Sequence, residues 1–144
     1  MTTIEIKNFV ATYNQLKDDL DMADFVCKEC NYKEYNFVER FERLKEEDND
    51  AYAALVKYYA VFGYVTMMHW RNRLILNEHL IRTMNDLLET FEHGEFVVFR
   101  NWDDLYNYYA VLGIEDKKLN DEVMRKLKFK YFEAFDGTLI RISK

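Results

Sequence analysis

The chain has 144 residues, of which 49% are hydrophobic and 17% aromatic; this is ample material for a compact core and excludes a disordered polypeptide. Its formal net charge is −6, and all of the acidic excess lies in residues 1–94, which carry 17 acidic and 11 basic side chains against nine of each in residues 95–144. No apolar run reaches the ~18 residues of a membrane span, and the N-terminus lacks the pattern of a secretory signal, so we expect a cytoplasmic protein without a membrane partner.

The first half of the chain is predicted to be helical. A capping box at Thr2 and Glu5, followed by apolar residues at three- and four-residue steps, predicts a first amphipathic helix. A second start signal at Asn31 and Glu34 predicts another helix. The acidic run 46–50 predicts a turn whose Asp and Asn side chains cap a third helix.

Glycines mark the next boundaries, since the chain contains four glycines and no proline. Gly63 interrupts a long apolar run and predicts a kink between helices, although residues 58–68 also fit a buried strand. The helical period returns at Asn77 and continues to Phe91. Gly94 then predicts a left-handed cap at the end of that helix.

The last third mixes strands with short helices. Residues 95–99 predict a strand, and Asn101 predicts the cap of a helix that follows it. Residues 119–127 predict one more short helix. Two strands, over residues 128–135 and 138–143, are then joined by the hairpin signal Asp136-Gly137. The pattern as a whole predicts a mostly α, α+β fold with a small antiparallel sheet.

From Asn77 onward the element order is helix, strand, helix, turn, helix, strand, hairpin and strand. This order, carried mainly by residues 102–126 and 129–142, resembles a winged helix-turn-helix domain and is similar to the winged-helix tails of some phage and plasmid primase-helicases. The resemblance implies a nucleic-acid-associated regulator or accessory protein of a phage or mobile element. The resemblance implies two regions, an N-terminal helical region at 1–76 and a winged-helix-like region at 77–144. They are also compatible with one compact domain.

The resemblance implies a nucleic-acid-binding surface. In winged-helix domains the second helix of the pair enters the major groove and the hairpin wing contacts the backbone, and here that helix is residues 119–127. Between Lys117 and Lys130 there are six basic and two acidic side chains, which supply the charge that phosphate contacts need. The implied contact residues are Lys117, Lys118, Asn120, Arg125, Lys126, Lys128, Lys130 and Arg141.

Acidic side chains support an alternative in which the ligand is a protein. The wing tip at 133–137 is acidic, and the stretch 18–50 has 12 acidic and 5 basic side chains, so a surface that binds and blocks a basic host nucleic-acid-processing protein is the second hypothesis. A solvated acidic helix face is the simpler interpretation. The interface candidates are Asp18, Asp19, Asp21, Glu46, Glu47, Asp48 and the outward-pointing Tyr108. A homodimer through the apolar run 61–70 is a further alternative.

The chain shows little that predicts catalysis. Cys27 and Cys30 form a CxxC motif, but it lies between two predicted helices and lacks the further ligands of a zinc site, so packing is the favoured role over metal or redox chemistry. The histidines are too dispersed to share a metal ion. Ser143 is one residue from the end of the chain, a poor position for a nucleophile. We therefore expect a non-enzymatic binding protein without a cofactor or metal.

Overall fold

The computed structural model describes residues 8–63, 70–72, 76–111, 125 and 131–143. It confirms the predicted fold class, since helices dominate and three strands form one antiparallel sheet. Among the described helices, none combines the length and the apolarity that a membrane crossing requires.

The chain divides into two compact units, Met1–Glu95 and Phe96–Lys144. The sequence pattern placed the boundary after residue 76 instead. The difference arises because the helix Asn77–Glu92 packs against three helices described earlier in the chain and so belongs to the first unit.

The first unit includes, among its described residues, four complete α-helices and one π-helical turn. Its core consists of fully buried large side chains from each of these elements: Leu16, Leu20, Phe37, Phe41, Leu55, Tyr59, Leu80, Met84, Leu88 and Phe91. The elements are α1 (Phe9–Glu29), α2 (Phe37–Glu47), α3 (Asn49–Tyr58), the π-helix Tyr59–Gly63 and α4 (Asn77–Glu92).

Local side chains or backbone conformation set three of the helix ends. Helix α1 starts after Asn8, whose side chain accepts the Ala11 N–H at 2.7 Å, whereas the predicted capping box at Thr2 lies outside the described residues. Helix α3 is capped by Asp48, which confirms that the acidic turn caps the third helix. Helix α4 ends at Gly94 with φ +69°, and the Glu95 N–H bonds to the Thr90 carbonyl at 2.9 Å, the pattern of a Schellman motif.

Helix α2 starts later than predicted. Asn31 adopts a left-handed conformation (φ 58°) just beyond the end of α1, and α2 begins only at Phe37. Its first two N–H groups, on Phe37 and Val38, donate to the two oxygens of Asp24 on α1, at 2.8 and 3.1 Å. The cap of α2 is therefore a tertiary contact from α1 rather than a local capping box.

The backbone at residues 59–63 is a π-helical turn that continues α3. This excludes the strand alternative for residues 58–63, while residues 64–69 lie outside the described residues. Such a wide turn contains one extra residue relative to an α-helical turn. It carries the ring of Tyr59 into the core.

The second unit contains β1 (Phe96–Phe99), α5 (Trp102–Val111), β2 (Phe132–Glu133) and β3 (Leu139–Ile142). The sheet order is β1-β3-β2, and both pairings are antiparallel. The predicted helix at 119–127 lies outside the described residues except for Arg125, and the predicted strand at 128–135 is described only from residue 131.

The helix cap and the hairpin turn of the second unit lie where the sequence predicts them. Asn101 Oδ1 accepts the Asp104 N–H at 2.9 Å and caps α5, as predicted. The turn between β2 and β3 places Gly137 at φ +87°, which confirms the hairpin at Asp136-Gly137. A small core forms where α5 covers one sheet face, and it consists of Leu105, Tyr131 and Leu139 with Val97, Phe99, Trp102 and Tyr109 around them.

Candidate functional site

A buried carboxylate ties helix α1 to the π-helix. Asp19 is 3% exposed, and its two oxygens accept four hydrogen bonds. Gln15 Nε2 and Arg71 Nε each donate to Oδ1 at 3.1 Å, while the Tyr59 hydroxyl and Arg71 Nη2 donate to Oδ2. A buried charge that is paired and fully hydrogen-bonded in this way acts as a structural tie.

The Tyr59 hydroxyl of this cluster is a weaker acid than an ordinary tyrosine. Burial, reinforced by the neighbouring Asp19 carboxylate, raises the pKa of Tyr59 well above its ordinary value, and Arg71 acts in the opposite direction. The Tyr59 hydroxyl therefore stays protonated and keeps its role as a donor. Asp19 is buried, so it does not belong to the acidic surface predicted for Asp18, Asp19 and Asp21.

The outer face of α1 combines acidic and apolar side chains. Asp18 and Asp21 are exposed there. Phe25 is 57% exposed and Met22 is 42% exposed. At 100° per residue these four side chains and Glu29 fall within a sector of about 100° on the helix. We call these five residues the α1 outer face.

The other acidic candidates lie where α2 meets α3. Glu46 and Glu47 are exposed at the end of α2. Asp48 is also exposed, but its carboxylate accepts the Ala51 N–H at 3.1 Å and thereby caps α3. Asp48 thus has a local structural role in addition to any role in binding.

The loop between α1 and α2 is fixed at both ends. Asn31 and Asn36 both adopt left-handed conformations, with φ values of 58° and 53°. The Tyr32 N–H donates to the Cys27 carbonyl at 3.0 Å, and Asp24 holds the start of α2. Asn tolerates the left-handed region better than other residues with a Cβ, which accounts for the two asparagines at these positions.

Arg40 connects this loop to α4. Its guanidinium makes two hydrogen bonds to the Glu92 carboxylate, with Nη2–Oε1 at 2.6 Å and Nε–Oε2 at 3.2 Å. Its Nη1 donates to the Asn85 side-chain oxygen at 3.0 Å and to the Tyr35 carbonyl at 3.4 Å. One planar side chain therefore holds α2, α4 and the loop together.

A cleft opens between the loop and the first turns of α4. Its volume is about 380 Å³. The Tyr35 ring stacks on Phe37 with a centroid distance of 5.4 Å, and Lys33 Nζ lies 5.5 Å from the Tyr35 centroid. The cleft is lined by Tyr32, Lys33, Tyr35, Glu78, Ile81, Arg82 and Asn85.

The nucleic-acid residues implied by the winged-helix resemblance are described only in part. Arg125 is exposed. Arg141 is half-buried, with its guanidinium carbon 5.3 Å from the centroid of the Tyr131 ring. The rest of the set lies outside the described residues, namely Lys117, Lys118, Asn120, Lys126, Lys128 and Lys130.

Among the described groups of the second unit, Tyr131 has a strongly raised pKa. Burial, together with a hydrogen bond to Tyr109, raises the pKa of Tyr131 to about 12, while Arg141 lowers it. Tyr108 lies beside this cluster, 52% exposed, with its ring centroid 5.4 Å from that of Phe99. Tyr108 is therefore available to a partner, and its assignment to an interface stays a prediction.

The two cysteines occupy different environments. Cys27 is buried in the last turns of α1, and burial raises the pKa of its thiol. Cys30 is exposed, with its sulfur 3.5 Å from Asn77 Nδ2. Among the residues that the structure describes, no group of three or more His, Cys, Asp and Glu side chains is arranged to hold a metal ion.

Sequence reasoning missed the cleft. Its two walls come from residues 32–35 and 78–85, which are more than 40 positions apart, so only the tertiary fold brings them together. The only feature of the sequence that could have indicated the cleft was the pair Tyr32 and Tyr35 in a polar loop. Asp19 gave a clearer signal, because it falls between Leu16 and Ala23 within the buried stripe of α1.

Comparison with protein-family models, with curated proteins and with solved structures finds no match to this chain.

Proposed function

We propose that the second unit is a winged-helix-like module that binds nucleic acid, and that the protein acts by binding, as a non-enzymatic regulator or accessory factor. The observation that carries this proposal is the sheet order β1-β3-β2. The strand before α5 and the two strands of the hairpin then belong to a single sheet. This is the arrangement that the element order of a winged helix requires.

The basic side chains of the segment 117–130 indicate a nucleic-acid ligand for this module. This segment, with six basic and two acidic side chains, lies in the sequence between α5 and β2 of the second unit. Lysine and arginine side chains held near a duplex displace counterions from its phosphates. The affinity of such a module depends steeply on salt concentration.

The test is a salt titration of binding. Fluorescence anisotropy with a labelled random-sequence duplex and the matching single strand should show affinity falling by orders of magnitude between about 50 and 200 mM salt. Replacing Arg125 and Lys126 with Ala should reduce the slope by about one for each phosphate contact removed. Arg43→Ala in α2 is the control, because Arg43 is an exposed arginine of the other unit. Undetectable binding to both probes at low salt, or an equal loss in the control, would contradict the proposal.

The α1 outer face supports a second candidate, a protein-binding inhibitor of a basic nucleic-acid-processing protein. Phe25 and Met22 expose apolar area beside Asp18 and Asp21. Exposed aromatic side chains serve as anchors in protein interfaces, and surrounding carboxylates steer association with a basic partner.

Affinity capture with matched variants tests this candidate. The double variant Met22→Ser/Phe25→Ser should lose a partner that the wild-type protein retains. Val10→Ser should keep that partner, because Val10 is a 68% exposed apolar residue of the same helix, about three turns away from Met22. Retention of the same partner by the double variant would exclude this face as the interface.

A further inference from the structure

The cleft between the α1–α2 loop and α4 has the dimensions of a small-molecule site. Its volume of about 380 Å³ lies near the lower end of the range of ~300–1,000 Å³ that such sites occupy. A cleft of this size accommodates one small molecule rather than a length of folded chain. It belongs to the first unit and shares no residue with the nucleic-acid surface proposed above.

The walls of the cleft are held in place without a ligand. Asp24 fixes the end of the loop at α2, and Arg40 bonds to the Tyr35 carbonyl and to Asn85 on the opposite wall. Side chains that are ordered before binding lose less conformational entropy when a ligand arrives. A cleft of modest size can therefore bind a small ligand without first rearranging.

The aromatic part of the cleft suits a flat ring. Tyr32 is 38% exposed. Within the part of the chain that the structure describes, no aromatic ring stacks on it, so no described ring competes with a ligand for its faces. Ile81, only 5% exposed, provides an apolar contact beside it. Stacking on tyrosine is independent of base identity, since every base has a π-face.

The polar part of the cleft favours an anion. Lys33 and Arg82 carry positive charge into the lining, and Glu78 carries its one carboxylate. Arg82 pairs with Glu78 at 3.1 Å, but both side chains are about two-thirds exposed, and exposed pairs of this kind are weak. An arriving phosphate competes easily for the guanidinium, because Arg binds phosphate through several N–H groups at once.

Asn85 supplies the remaining polar contact. Its side-chain oxygen accepts from Arg40, which orients the amide nitrogen as a donor. A donor held in this way can bond to an acceptor on the edge of a heteroaromatic ring.

We propose that this cleft binds a nucleotide, with the base stacked on Tyr32 and the phosphate between Lys33 and Arg82. The same chemistry is presented by a free nucleoside monophosphate and by the 5′-phosphorylated end of a strand. The proposal is independent of the C-terminal module, because every contact lies in the first unit.

Isothermal titration with AMP, adenosine and ribose 5-phosphate tests the proposal on the full chain. AMP should bind, and the two fragments should each bind at least about tenfold more weakly, because each lacks the ring or the anion. Tyr32→Ala and Lys33→Ala should each weaken AMP binding by at least about fivefold. No detectable AMP binding at millimolar concentration would overturn the proposal.

Glu78→Gln should strengthen AMP binding, whereas the preceding variants should weaken it. The substitution removes the lining carboxylate and frees Arg82, so AMP should bind about two- to fivefold more tightly. The matched control is Glu39→Gln, because Glu39 forms the same i,i+4 ion pair with Arg43 on α2 at 3.1 Å, outside the cleft lining. An unchanged or weaker AMP affinity for Glu78→Gln, or the same gain in Glu39→Gln, would contradict the assignment of the phosphate to this end of the cleft.

Two further comparisons are needed. The first distinguishes a free nucleotide from the end of a strand, and the second distinguishes binding in the cleft from binding in the second unit. A 5′-phosphorylated tetranucleotide that binds more tightly than AMP identifies the end of a strand as the ligand, whereas equal or weaker binding identifies a free nucleotide. The variant Arg125→Ala/Lys126→Ala should keep its affinity for AMP, and Tyr32→Ala should keep its affinity for a duplex. Loss of AMP binding in the first variant would place the nucleotide in the C-terminal unit and refute the cleft as its site.

Discussion

The Tyr59 hydroxyl donates a hydrogen bond to the Asp19 carboxylate inside the core of the first unit, where Tyr59 is fully buried. The contact spans 40 positions of sequence and joins the π-helix to the middle of α1. Arg71 completes the arrangement by donating to both oxygens of the same carboxylate. Asp19 therefore ties Arg71, in the segment 70–72, to helix α1.

Asp19→Asn should strongly destabilise the first unit. The amide cannot pair with Arg71 and offers one acceptor in place of two, and breaking a buried ion pair typically costs about 3–5 kcal/mol. Tyr59→Phe should cost less, about 1–2 kcal/mol, since it removes one hydroxyl and keeps the ring. Urea unfolding followed by circular dichroism measures both. The exposed neighbour Asp18→Asn is the control, and a similar loss there would contradict a special role for Asp19.

Because of Tyr131, the second unit should lose stability as the pH rises in the alkaline range. Its folded-state pKa of about 12 exceeds the ordinary value near 10, so above pH ~10 the unfolded chain loses a proton that the folded chain keeps. The contribution is fully present below pH ~10 and is lost as the pH rises toward about 12. Unfolding measured across this window should show a shallower decline for Tyr131→Phe than for the wild type. An identical decline in the two proteins would exclude a raised pKa at this residue.

The sequence predicted the features that depend on neighbours a few residues apart. The Asp48 and Asn101 caps, the Gly94 helix end and the Asp136-Gly137 turn each follow from a side chain or a backbone preference acting over about three residues. Features that depend on distant partners could not be read in this way. Asp24 caps a helix that begins 13 residues later, and local pattern placed that helix start at Asn31 instead.

The same distinction between local and distant partners applies to the candidate sites. The α1 outer face was partly predictable, because helical spacing places Asp18 and Asp21 on one side, but Asp19 belongs to the opposite, buried stripe. The cleft needed the tertiary fold, since α4 reaches the loop only through the packing of four helices. The cationic segment 117–130 remains a prediction from composition.

Asp24 should stabilise α2 although it lies on α1. Asp24→Ala leaves the N–H groups of Phe37 and Val38 without their acceptors, and loss of an N-cap costs about 0.5–2 kcal/mol. Asp24→Asn retains one acceptor and should cost less than the alanine variant. Thermal unfolding monitored by circular dichroism gives the comparison. Asp21→Ala, an exposed position on the same helix, should change the stability by less than about 0.5 kcal/mol; equal losses at residues 21 and 24 would contradict the capping role.

Gly94→Ala should isolate the backbone cost of ending α4. A Cβ at this position would meet no heavy atom within 4 Å outside the adjacent residues, so the variant has no clash with the rest of the fold. The remaining cost is that of φ +69° for a residue with a side chain, about 1–2 kcal/mol. Gly94→Asn should cost less, because Asn tolerates the left-handed region. Chemical denaturation of the three proteins should rank them Gly, Asn, Ala in decreasing stability, and an alanine variant as stable as the wild type would contradict the left-handed cap.

Arg40→Lys should loosen the connection between the α1–α2 loop and α4 while keeping the charge. Lysine cannot reproduce the two parallel hydrogen bonds to Glu92 together with the bond to Asn85, and both members of the pair are at least three-quarters buried. We expect a loss of about 1–3 kcal/mol in the free energy of unfolding. Arg82→Lys is the matched control on α4, because its pair with Glu78 is exposed and should contribute less than about 0.5 kcal/mol. Denaturant unfolding of both variants measures the difference, and an equal effect of the two substitutions would show that the Arg40 fork contributes no more than an ordinary surface charge.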